Sequence, residues 1–169
     1  MWAYLIREGN VYDMSVQFEE LVKGAVTAYG KRREQTVAAR QQSDQMQKRA
    51  AARFGQIAES FIIPTFNKAA ELLKQSCAVE IHRHEYTEER PFVLSVDMVI
   101  AEKPGVQNRR LRQPSPKLEI CLKKRSFRVV IFTENLRDAK LQLEEMEISE
   151  LDSEKIERCT YSFLAEIFR

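Results

Sequence analysis

The segment Lys117-LEICLKKRSFRVVIFTE-Asn135 carries the clearest hairpin pattern in the chain. With Lys124–Arg125 as the turn, Leu122 faces Phe127, Ile120 faces Val129 and Leu118 faces Ile131. All six side chains then fall on one face of a two-stranded ribbon, a self-consistent register. The turn lacks the Asn-Gly pair that suits tight hairpins, so its type stays open.

Working outward, the same alternation recurs. Residues 92–101 place Phe92, Leu94, Val96, Met98 and Ile100 on one face, and residues 78–84 set Val79 and Ile81 against Glu80, His82 and His84. Three prolines and a glycine make residues 102–116 a long loop. Downstream, Leu141 and Leu143 point inward, while Met146 and Ile148 have the opposite parity. A bulge at Glu144–Glu145 reconciles them. Asp152 or Ser153 then caps a helix whose stripe is Ile156, Cys159, Phe163, Leu164, Ile167 and Phe168.

Upstream of Cys77 the composition is helical. A helix is predicted to start at Asp13 or Ser15, and from Val16 to Gln75 only Gly24, Gly30, Gly55 and Pro64 interrupt it. Proline removes a backbone donor and crowds the preceding turn, so a kink or a fresh start is expected at Ile63–Pro64. Phe54, Ile57, Ala58, Phe61 and Ile62 form an apolar stripe before it, and Phe66, Ala69, Ala70 and Leu73 form one after it. Helices, then five strands, then a helix, with no strand–helix alternation, predict an α+β fold with an antiparallel sheet and a C-terminal amphipathic helix. The expected division is a helical region over 1–76 and a sheet with its closing helix over 77–169, the latter cooperating with 54–76. The helical region is either one extended helix or a hairpin turning near Gly30, which would lay Phe18, Leu21, Val22 and Val26 against a second helix.

At 169 residues the chain is long enough to bury a core without staples. Its net charge of +2 is not that of a strongly basic nucleic-acid binder. Three widely spaced cysteines with no Cys-x-x-Cys suit free thiols in a reducing compartment. The N-terminus lacks the basic start of a signal peptide, and no apolar run approaches the ~18 residues of a membrane span. The expectation is a cytoplasmic protein that does not enter a membrane.

Catalytic signals are sparse. The five glycines form neither a GxGxxG nor a phosphate-binding loop. His82 and His84 share a strand face with Glu80, but zinc needs three or four ligands and the sequence indicates no fourth. Neither a metal nor a cofactor is expected. Cys77 and Cys159 read as small buried hydrophobes, whereas Cys121 falls on the outer face of the hairpin, where it could be exposed. Asp97 lies on the outer face of its strand. Adjacent acid pairs in strands point to opposite faces and make no acid/base pair. No catalytic residue is assigned, and a non-enzymatic role is expected.

Charge and apolar excess say more. Residues 103–128 hold nine Lys/Arg against one acid, and residues 134–157 hold nine acids against three bases. The two segments are read as facing each other across strands. Val93, Val99, Cys121, Val130 and Phe132 are apolar on the face predicted to be solvated, so that face is expected to be covered. Residues 31–53 carry seven bases and two acids, with Thr36, Ala39, Ser43, Met46, Ala50 and Ile57 threaded at helix-partner spacing. The expected function is an interaction or assembly protein whose helical and sheet surfaces pair with another protein or a second copy, as a coiled coil or other homo-oligomer. The alternative is nucleic-acid association through Lys31, Arg32, Arg33, Arg40, Lys48, Arg49 and Arg53, together with the loop residues Arg109, Arg110 and Arg112.

Overall fold

A computed structural model of the chain describes residues 9–85, 92–103, 115–134 and 140–168, with side chains from residue 18 onward. Helix α1 spans Gly9–Ile57, a π-helical turn spans Ala58–Ile62 and helix α2 spans Ile63–Leu73. Strands β1 (Cys77–Glu85), β2 (Phe92–Glu102), β3 (Lys117–Lys123), β4 (Val129–Glu134) and β5 (Leu141–Met146) form one antiparallel meander in the order β1-β2-β3-β4-β5. A short 3-10 turn at Ile148–Glu150 leads into helix α3 (Ser153–Phe168). The fold is therefore α+β, with a long N-terminal helix, a five-stranded antiparallel sheet and a C-terminal helix.

The chain divides into two compact units, Met1–Gln45 and Met46–Arg169. Within the first, every described residue is helical, and every described side chain from Phe18 to Gln45 is exposed. Helix α1 starts at Gly9, ahead of the expected caps Asp13 and Ser15, and passes through Gly24 and Gly30 without a turn. The hairpin alternative is thereby excluded. Nothing in either glycine's surroundings demands a missing side chain, because an added Cβ meets no atom within 4 Å.

In the second unit the helices supply one wall of the core. Phe54, Ala58, Ile62 and Phe66 are all buried at four-residue intervals. In an α-helix a four-residue step drifts by about 40° around the axis. The π turn takes up that drift with its wider winding, so the stripe stays against the sheet. It also explains how Pro64 is tolerated. The Ile63 N–H reaches back five residues to the Ala58 carbonyl, and Pro64 stands in the first turn of α2, where its missing N–H costs little. Phe61, expected on the stripe, is instead exposed. On α3 the Asp152 carboxylate accepts the Lys155 N–H at 2.8 Å, the expected cap, and Ile156, Phe163 and Ile167 pack inward.

Two registers differ from the sequence expectation. Leu122 pairs with Val129, Ile120 with Ile131 and Leu118 with Thr133, a slip of two residues. A two-residue turn at Lys124–Arg125 needs positive φ at Lys124, and in one of its two forms at Arg125 as well. The longer loop confines that conformation to Phe127, at φ 54°. The shift is even, so each side chain keeps its face. In β5 the irregularity skips Leu143 rather than falling at Glu144–Glu145, and Leu141 and Leu143 are exposed while Met146 and Ile148 are buried. The acidic β5 does face the basic hairpin: Glu145 meets Lys123 at 2.6 Å and Arg128 at 3.6 Å.

The helical reading of Gly24 and Gly30 is testable. Gly24→Ala and Gly30→Ala together should stabilise the helix by about 2 kcal/mol. Circular dichroism melting would detect it; destabilisation would indicate a turn.

Candidate functional site

Folding β1 onto β2 sets His82 opposite Asp97, and folding β2 onto β3 sets Asp97 opposite Glu119. The helices cover the other face of the sheet, so these polar groups share the face turned away from the core. There they line an open cleft of about 410 Å3 with His84, Phe92, Ser95, Lys117 and Lys140. Phe92 reaches this face through a register shift between Phe92 and Leu94. The same shift sends Val93 into the core, correcting its expected outer position.

Two carboxylates directly opposite each other on neighbouring strands repel. Lysines resolve the conflict. The Lys117 ammonium lies 2.8 Å from Asp97 Oδ2 and 3.6 Å from Glu119 Oε2, and Lys140 donates to Glu119. Lys140 also sits 4.4 Å from the centre of the Phe132 ring, a cation–π contact, and Phe132 meets Phe92 edge to face. Burial pushes the Asp97 carboxyl up, but Lys117 and His84 outweigh it and hold the group below the usual range. Burial likewise pushes Glu119 up, and Lys140 and Lys117 bring it down. Lys117 is pulled down by burial and raised overall by Asp97 and Glu119.

The histidines complete the cluster. His84 Nε2 is 3.3 Å from Asp97 Oδ2, and His82 Nδ1 is 3.3 Å from Asp97 Oδ1, while His82 Nε2 lies 3.5 Å from Glu80. The sequence put His82, His84 and Glu80 together. It does not join Asp97 to them, and the signal that does so is the β1–β2 pairing, since parity puts all four residues on outer faces.

Other predicted positions fall elsewhere. Thr36, Ala39, Ser43 and Met46 are exposed, and the Thr36 hydroxyl is spent on the Arg32 carbonyl at 2.8 Å. Ala50 and Ile57 pack against the core of their own chain. Lys31, Arg32, Arg33, Arg40, Lys48, Arg49 and Arg53 are exposed along α1. Arg109, Arg110 and Arg112 lie outside the described residues. Cys121, which parity puts on the outer face, is fully buried between Ser95 and Val130 on its neighbouring strands. Burial, with the Glu119 carboxylate, pushes its thiol far above the usual range. Val130 is buried too, so the outer face is covered at its centre rather than offering an apolar surface.

No protein-family model, curated protein or solved structure matches this chain, so the chemistry of the cluster rests on its own residues.

Two measurements probe the site. Glu119 has a lower pKa in the folded chain than its ordinary 4.5, so it adds stability above that value and the contribution is lost as pH falls through the folded pKa. Glu119→Gln should therefore flatten the loss of stability on acidification, read by denaturant titration across that range. Of the three thiols, Cys77 and Cys121 are buried and Cys159 is half-buried. A disulfide exchange reagent should label at most Cys159 in the native chain and all three cysteines after unfolding.

Proposed function

We propose that this chain is an assembly protein that pairs through the exposed portion of helix α1, with a second copy of the chain as the partner. The observation that carries this reading is the exposure of Phe18, Leu21, Val22, Val26, Tyr29, Val37 and Met46 within one uninterrupted helix. Helices in water draw most of their stability from packing an apolar face. Fully burying a side chain such as Leu or Phe contributes about 1.5–3 kcal/mol.

Self-pairing suits the charge distribution as well. An antiparallel pair centred just beyond Gly30 sets Phe18 of one copy opposite Met46 of the other. It sets most of each basic segment, residues 34–53, against residues 11–30 of the other copy, while Lys31, Arg32 and Arg33 of the two copies meet at the centre. Ala39 and Ser43 are small enough to let the backbones approach. Closed homo-oligomers, and two-fold dimers above all, are the commonest assemblies of soluble chains.

A specific feature favours one rival. Arg32, Arg33 and Arg40 flank Tyr29 and Val37 along one helix face, combining cations with an aromatic ring as nucleic-acid surfaces do.

Light scattering should return twice the 19.7 kDa chain mass. Leu21→Glu with Val26→Glu should return the monomer mass and reduce the helical signal. A wild-type chain that stays monomeric at high concentration overturns the assembly reading. Salt-sensitive retardation of DNA or RNA by that monomer would support the rival.

A further inference from the structure

We propose that His82, His84 and Asp97 form a binding site for a divalent transition metal ion, with zinc the best fit. One nitrogen from each histidine and one oxygen of Asp97 lie within 4.8 Å of one another. Tetrahedral zinc with bonds of ~2.0 Å sets its ligand atoms ~3.3 Å apart. His82 Nδ1 lies 3.3 Å from Asp97 Oδ1 and His84 Nε2 lies 3.3 Å from Asp97 Oδ2, so each histidine stands at ligand spacing from one oxygen of the same carboxylate. The rings of His82 and His84 are 46% and 30% exposed, which leaves them room to close the remaining edge.

The Asp97 side chain is only 3% exposed, yet its Oδ1 accepts no hydrogen bond among the described residues. A buried carboxylate oxygen without a donor is costly, and a cation is the partner it lacks. Lys117 holds the other oxygen, Oδ2, and so fixes the carboxylate while leaving Oδ1 aimed at His82. His82 faces carboxylates with both ring nitrogens, Glu80 at Nε2 and Asp97 at Nδ1. A neutral imidazole has one N–H, which satisfies one of the two. If Glu80 takes that N–H, Nδ1 presents its lone pair to the space beside Oδ1. Carboxylate–histidine–metal relays have this arrangement.

Local charge permits the ion. Lys117 and Lys140 are each already matched to a carboxylate, so the cluster is not a net cationic barrier. Three ligands from the chain leave a fourth position open to the cleft. That is the pattern of sites where the metal meets water or a small molecule rather than one that only braces the fold.

The test uses the full chain after chelator treatment. Titration with Co2+ should produce a visible ligand-field band saturating at one ion per chain and displaced by Zn2+. His82→Gln and His84→Gln should each weaken Co2+ binding at least ~100-fold, and Glu80→Gln about tenfold. Thermal melting of the metal-free variants separates ligand loss from unfolding, because the substituted rings are partly exposed. In the wild type, the ring resonances of the chain's two histidines should shift on adding Zn2+. Absence of the band, unshifted histidine resonances, or a band of unchanged affinity in both histidine variants would each overturn the proposal.

Discussion

Asp97 and Glu119 stand face to face across β2 and β3, both buried, and that juxtaposition governs the polar side of the sheet. Two carboxylates in such a place demand cations. Lys117 supplies one from β3 itself and Lys140 supplies the other from just before β5. The aromatic pair Phe92–Phe132 then packs beside the Lys140 ammonium and limits its hydration. The histidines of β1 extend this polar network to the sheet edge. The result ties four of the five strands together through side chains as well as backbone. Such a network specifies register, since a one-residue slip would strand a buried carboxylate among apolar groups.

The opposite face obeys a different constraint. There the helices must keep a straight apolar line against a twisted sheet. The π turn reconciles the winding of the helix with that line, and it falls where the proline would otherwise break the ladder. Residues 46–73 thus act as a single packing element, although proline punctuates them. Residues 18–45 have no such anchor: their large apolar groups remain exposed. Composition separates the stretches as well: residues 31–45 hold Val37 as their one large apolar side chain, whereas Phe54, Ile62 and Phe66 of the second stretch are buried.

Much of this architecture was legible in residue periodicity. Alternation of apolar and polar residues located all five strands, and the cap at Asp152 located the last helix. Parity put His82, His84, Asp97 and Cys121 on the outer face. What periodicity alone does not encode is lateral pairing. The slip of the β3–β4 hairpin depends on which loop residue can adopt left-handed backbone, and Phe127 does so despite its side chain. The irregularities at Phe92 and Leu143 break the alternation in ways that a strict period-two reading carries through unchanged. Cys121 is on the outer face by parity yet buried, because a paired network and two aromatic rings sit on that face. Period two does not encode the meeting of His82, His84 and Asp97, because the acid comes from a neighbouring strand.

The irregularity between Phe92 and Leu94 has a consequence for how this chain can change. It makes strand β2 deliver Phe92 to the cleft and Val93 to the core, so one residue of length decides which chemical environment each occupies. Without the irregularity, strict alternation back from Leu94 would turn Val93 to the cleft and Phe92 to the core, leaving Val96, Asp97 and Met98 untouched. The mouth of the cleft can thus be rewritten by small insertions or deletions at the start of one strand, independently of the buried layer. A change confined to that step alters the rim of the cleft and leaves its charged floor of Asp97, Lys117 and Glu119 in place.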